Sequence, residues 1–385
     1  MFSGIAAASK SRKYPFSKVQ PMKTSFQIFS LLFGSLIAFI MWSFQPAFNA
    51  LGQNNQMIDD LSAFSIPYTP RQDVTFLLGK DQAGENPYFA KAAQYYRQDP
   101  KEQTEFVIDS CKSLLAVRNY LETHAPDNGR AWGKINLVFH SNEWTGMGVP
   151  TLPGGKRTTT QSLANAIAGD QFPPLSETII DACTEIVFHG CALGRNEGLL
   201  SALRAAFVSP NIDAKVQSSP YFVIFDQQQN TYPKRYLADY WYVFFQTGKR
   251  PSDQQLVQQL KTNYPEATVD WDLAIGQNQP LKNGQPFHYT FKVPVVWTVT
   301  YPDEASRPDI SNWKAQQKWL DDQIELKAVF EKYKIPREQF SWYLRKLDYN
   351  FEDGSTEPAI KAVGFCTVLC VLQEVAEKND SLVSL

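Results

Sequence analysis

The sequence lacks the signatures of several large function classes. Neither GxGxxG nor GxxxxGK[ST] occurs, so the phosphate-cradling loops of dinucleotide- and nucleotide-binding folds have no motif here. HExxH is also missing, which leaves the common zinc-protease reading without its ligands. There is no internal repeat and no long low-complexity tract. The formal charge is only −2 over 385 residues, so no basic excess argues for nucleic acid. What remains is an ordinary globular composition, 43% hydrophobic and 20% charged, in a chain long enough for two domains or one large one.

The N-terminus has the pattern of a targeting segment. Phe26 to Phe44 is apolar apart from Gln27, Ser30, Gly34, Ser35 and Ser43, and Lys10, Arg12, Lys13, Lys18 and Lys23 precede it. A positive flank, an apolar core and a small-residue end describe a signal peptide over residues 1–50, with Met22 as a possible true start. A segment of that length can also just span a bilayer, so a signal anchor is the alternative. The expected location is therefore exported, secreted or periplasmic, with a membrane contact only if residues 26–44 stay uncleaved. Export gives an odd cysteine count a meaning. Five cysteines (Cys111, Cys183, Cys191, Cys366 and Cys370) leave at least one thiol free or in an intermolecular bridge.

Residues 51–70 read as a linker, and the fold begins after them. Asp73–Gly79 reads as a first strand, Asn86–Arg97 as a helix, and Phe106–His124 contains an amphipathic helix. The apolar run Lys134–Phe139 ends at His140, and the run Thr184–Gly190 ends at Cys191. Short β-branched and aromatic runs bounded by turn residues read as buried strands. Thr160–Ile167 and Glu197–Phe207 read as helices, and Lys215–Phe225 as a strand bent at Ser218-Ser219-Pro220. This alternation predicts a largely parallel sheet flanked by helices over residues 71–277. Tyr236–Gln246 reads as a helix with Leu237, Trp241 and Phe245 on one side. The turn-rich stretch 278–285 suggests a boundary. Beyond it, residues 278–385 read as a C-terminal α+β region with a strand over Phe287–Tyr301, a helix over Ser311–Tyr333 and a hairpin from Ser341 to Val375.

Parallel sheets carry their ligand crevice at the carboxyl ends of the strands. His140 and Cys191 both belong there. A thiol with a free pKa of about 8.5 is only slightly ionised at neutral pH, and a neighbouring imidazole can take its proton and later pass it to a leaving amine. Gly190 and Gly194 flank the cysteine, where the backbone must turn and approach a substrate. His189, two residues before Cys191, shares its face by strand periodicity and is a candidate for lining a substrate pocket, with a structural, hydrogen-bonded histidine as the alternative. A metal site of His140, His189 and Cys191 is a rival with only three ligands in view. His124 and His288 read as structural.

Strand–His and, 51 residues later (191 − 140), strand–Gly–Cys resembles the caspase-like cysteine peptidases, a group that includes caspases, gingipains, legumains, separase and CHAT-type domains. Gly146–Gly155 resembles the arm that follows the histidine in that group. Gly190-Cys191-Ala192-Leu193-Gly194, followed by a helix and Val216-Gln217-Ser218-Ser219, is most similar to bacterial CHAT-type members. The resemblance covers about residues 73–227. It implies a caspase-like sheet, His140 as general base and acid, Cys191 as nucleophile and its N–H as an oxyanion donor. It implies no cofactor and no metal, and a peptide or protein as the partner. Where the family usually has glycine after the histidine, this chain has Ser141, whose N–H would have to be the second donor. The pentapeptide that gives caspases their aspartate preference is absent. The alternative function is a degenerate member that keeps the fold as a binding or scaffold module.

Overall fold

The two apolar runs that end at His140 and Cys191 are adjacent parallel strands. The structure is a computed structural model. It describes residues 70–384 except 82–86, 101, 105, 279–283, 352–353 and 375–381, with 236–240 described by backbone alone. The first half alternates as follows: β1 (Val74–Leu77), α1 (Tyr88–Gln98), β2 (Phe106–Ile108), α2 (Leu114–Thr123), β3 (Lys134–Val138), a small ribbon of β4 (Ser141–Asn142) and β5 (Gly146–Met147), α3 (Thr160–Ala168), β6 (Glu185–His189), α4 (Glu197–Phe207) and β7 (Lys215–Ser218). Side-chain caps start the helices where Ser and Thr stand. Ser113 caps α2, and Thr159 forms a reciprocal capping box with Ser162 at α3.

The second half runs β8 (Phe222–Phe225), β9 (Lys234–Gln246), α5 (Asp253–Asn263), α6 (Trp271–Gly276), β10 (Phe287–Thr300), α7 (Trp313–Asp321), α8 (Ile324–Tyr333), β11 (Ser341–Asn350), β12 (Thr356–Glu374) and β13 (Val383–Ser384). The first sheet has the order β13-β7-β6-β3-β1-β2. All its pairings are parallel except that of β13 with β7. The second sheet is antiparallel. Its long central strand β12 pairs with β10 along one side and with β11 and then β9 along the other.

Period two sorts the first sheet into two buried faces. Phe76, Ile135, Leu137, Phe139, Ile186 and Phe188 pack against α2, α3 and α4. Leu77 and Val138 face the other way, against α1 and β8. Burial on both faces explains why these strands read as continuous apolar runs. The second sheet is also covered twice. Trp241, Val243, Phe245, Leu369 and Val371 meet α5 and α6, while Val293, Val295, Trp297, Cys366 and Val368 share a core with α7, α8 and Trp144.

Four sequence expectations change. Tyr236–Gln246 is strand, not helix. Residues 237, 241 and 245 are separated by multiples of four, a spacing that satisfies both a helical face and a strand face, and the aromatic density of the run favours the strand. Lys215–Phe225 is two strands in two different sheets, and Ser219-Pro220 carries the chain across. The single helix expected over Ser311–Tyr333 is two helices parted at Asp322-Gln323. The chain also does not divide at 278: residues 71–385 form one compact unit, β8 and β9 belong to the second sheet, and β13 returns to the first. The apolar segment 26–44 and linker residues 51–69 lie outside the described residues. Among those described, no helix is long and apolar enough to cross a membrane.

Candidate active site

The register of β3 on β6 sets Val138 opposite His189, so His140 and Cys191 each stand two residues beyond a paired position. Backbone bonds hold these ends together. Phe139 N donates to His189 O at 3.2 Å and Gly148 N to His140 O at 2.6 Å. The Ser141 hydroxyl donates to Cys191 O at 2.9 Å, bridging the two strand ends directly. Gly190 is required by this closeness, because a Cβ there would collide with Ser141 Oγ and the Phe139 ring. After Cys191, Ala192 N bonds to Tyr221 O and Gly194 N to Ser219 O, both at 2.9 Å. The segment that crosses between the sheets therefore lies against the cysteine loop. Ala192 adopts φ +55°, a left-handed conformation that an L side chain rarely takes.

The two side chains differ in environment. His140 is exposed, and its ring lies against Tyr88 and Phe89 at the start of α1, with centroids 4.8 and 4.9 Å away. Cys191 is half-buried as a residue, but its thiol is turned inward and donates to Val223 O at 3.7 Å. It packs on the apolar core that contains Trp144, Ala192 and Phe222. Burial pushes this thiol up to about 11, and only the protonated thiol can make the bond to Val223. Among the described residues, no hydrogen bond joins the Cys191 thiol to the His140 ring, and the Cys191 N–H has no acceptor. Burial raises the Cys370 thiol, on β12, well above the usual thiol range, with Glu143 adding to the shift and Arg195 opposing it.

His189 lies in the interior beside Tyr96 of α1. It is 2% exposed, and its Nε2–H donates to the Asn136 amide oxygen at 2.9 Å. Asn136 in turn donates to Thr75 Oγ1 at 3.3 Å, and Thr104 donates to the same hydroxyl at 3.2 Å. A buried polar line thus crosses β1, β3 and β6. Burial, with the Lys234 and Lys134 cations beside it, holds the imidazole well below its ordinary pKa and so neutral. Of the two sequence expectations for His189, these contacts match the structural, hydrogen-bonded one. Just past the end of β6, Gly190 N turns back to Phe188 O at 3.1 Å.

The other expected residues take structural places. His124 stacks on Tyr120 at 4.1 Å, and His288 Nδ1 bonds to Ala274 O at 3.0 Å. All five cysteines are free; Cys183 is exposed, while Cys111, Cys366 and Cys370 are buried. Among the described residues no three His, Cys, Asp or Glu side chains gather as a metal site. A cavity of about 190 Å³ lies elsewhere, between Tyr95 of α1, Asp99 at its C-terminal cap and Tyr232-Pro233 before β9. Sequence reasoning overlooked Tyr88, Phe89 and Trp144. An aromatic pair opening a helix and a tryptophan four residues after the histidine were legible as residues, but not as neighbours of the site. No family model, curated protein or solved structure matches this chain.

Proposed function

We propose that this chain is a cysteine endopeptidase of caspase-like build, with Cys191 as nucleophile and His140 as general base and acid. The observation that supports it is the register of β3 on β6, which aligns the two residues at neighbouring strand ends. In the reaction the thiol leaves Val223 O and turns to His140, which takes its proton. The thiolate attacks the peptide carbonyl, and the Cys191 N–H donates to the oxygen as it becomes negative. His140 returns the proton to the leaving amine, and water then hydrolyses the thioester. On this reading the nucleophile rests protonated, held by burial and the Val223 carbonyl. The basic and apolar N-terminal pattern supports export or membrane anchoring.

A second reading is a binding or scaffold module that retains the sheet without turnover. The same resting thiol favours it, since buried apolar cysteines are inert. A panel of fluorogenic peptides varied at the residue before the cut separates the two. Turnover by the wild type, lost in both Cys191→Ala and His140→Ala, is the endopeptidase result. Wild-type turnover no higher than that of Cys191→Ala on every peptide, with the fold intact, is the module result.

A further inference from the structure

His140 continues the face of β3 that meets α1, and its ring lies against the first two residues of that helix. The Tyr88 ring is tilted 35° to the imidazole plane, and the Phe89 ring stands at 70°. This end of α1 is itself fixed in place. The Asp81 carboxylate accepts from Phe89 N and Ala90 N, both at 2.9 Å, where a helix start otherwise leaves its N–H groups unpaired. The Phe89 ring fills the space over Gly79 at the end of β1, and a Cβ on that glycine would collide with it. Tyr88 packs edge-on against Phe89 at 5.2 Å and Phe225 at 5.3 Å. Tyr88 and Phe89 are 6% and 5% exposed, so neither ring has freedom to swing away.

We propose that Tyr88 and Phe89 are positioning residues for His140, an aromatic clamp that sets the plane of the imidazole beside Cys191. The inference rests on the reading of His140 as the base. Ring contacts suit the task because they engage the faces and edges of the imidazole rather than the lone pair that must take a proton. They also limit the rotamers of a side chain that is otherwise exposed. Val223 belongs to the same apolar cluster as Tyr88 and Phe89, and its carbonyl holds the resting thiol. The clamp, the base and the resting partner of the nucleophile are therefore parts of one packed group.

The test is the rate of Cys191 alkylation by iodoacetamide, followed from about pH 6 to about pH 11, a range that covers an ordinary imidazole and reaches the raised thiol. Wild type, His140→Ala, Tyr88→Leu, Phe89→Leu and Tyr88→Phe are compared, each checked for folding by near-ultraviolet circular dichroism. The clamp predicts that both leucine variants label about tenfold more slowly than wild type near pH 7 and shift the midpoint upward towards that of His140→Ala. Tyr88→Phe, which keeps the ring, should match wild type. A slow His140→Ala beside leucine variants that label like wild type overturns the clamp and leaves the dyad standing. No effect of His140→Ala removes the dyad and the clamp together. If the leucine variants fail to fold, the His140 ring protons of wild type decide: ring currents from Tyr88 and Phe89 must move them from their solvent positions, and unshifted resonances overturn the proposal.

Discussion

Trp144→Ala should be the most costly single truncation in the loop that follows His140. Trp144 leaves the β4–β5 ribbon and enters the core of the second sheet, where it is 6% exposed. Its ring meets Tyr242 at 5.3 Å, Phe291 at 5.5 Å and Phe244 at 6.1 Å, and its Nε1–H donates to Tyr333 O at 2.9 Å. Truncating a buried tryptophan costs about 3–5 kcal/mol. About 1 kcal/mol of that belongs to the Nε1 bond, so Trp144→Phe should lose only about 1–2 kcal/mol. Urea unfolding, followed by fluorescence and circular dichroism, measures both changes through the midpoint at constant slope. Because Cys191 packs on the same core, the alanine variant should also label faster at that thiol. A loss below about 1 kcal/mol for Trp144→Ala, or equal losses for the two variants, would refute the role of the ring as the link between the sheets.

Three further outcomes follow from the strand ends. Gly190→Ala should destabilise by about 1–3 kcal/mol, and the double variant with Ser141→Ala should recover little because the Phe139 ring still blocks the methyl group; thermal unfolding reads both. Ser141→Ala alone removes the bridge to Cys191 O and should cost about 1 kcal/mol in the same assay. His189 is neutral in the folded chain because burial, then Lys234 and Lys134, depress its pKa, whereas the unfolded chain binds a proton below about pH 6.5. Its contribution is therefore complete above that pH and is lost as pH falls towards the folded pKa, by up to about 1.4 kcal/mol per unit. His189→Gln should flatten the acid limb of urea midpoints measured against pH, and an unchanged slope would contradict the assignment.

Much of the first sheet was legible because its strands are buried on both faces and are separated by well-capped helices. Glu197–Phe207 is the helix the periodicity predicts, residue for residue. The second sheet was less legible because its strands are long and aromatic. In β9, a four-residue spacing fits helix and strand alike, and the choice is made by partners more than a hundred residues away on β12. At the site, the positions of His140 and Cys191 at adjacent strand ends followed from the pattern of runs and turns. The directions of their side chains did not. Gly190 N turns back to Phe188 O just before Cys191, and β8 brings Val223 O to the thiol. The first is a local turn that strand periodicity does not reveal, and the second depends on where a distant strand lands.

The most direct test of the dyad uses the contrast between two thiols. Cys183 is exposed, while the Cys191 thiol is turned inward. A mixture of peptidyl acyloxymethyl ketones, which alkylate a nucleophile aligned by peptide binding, is applied at neutral pH, and the adduct is located by mass spectrometry of the digest. The account predicts an adduct on Cys191 in preference to Cys183, abolished in His140→Ala. Labelling of Cys183 with Cys191 spared, or labelling of Cys191 that is indifferent to His140, would contradict it.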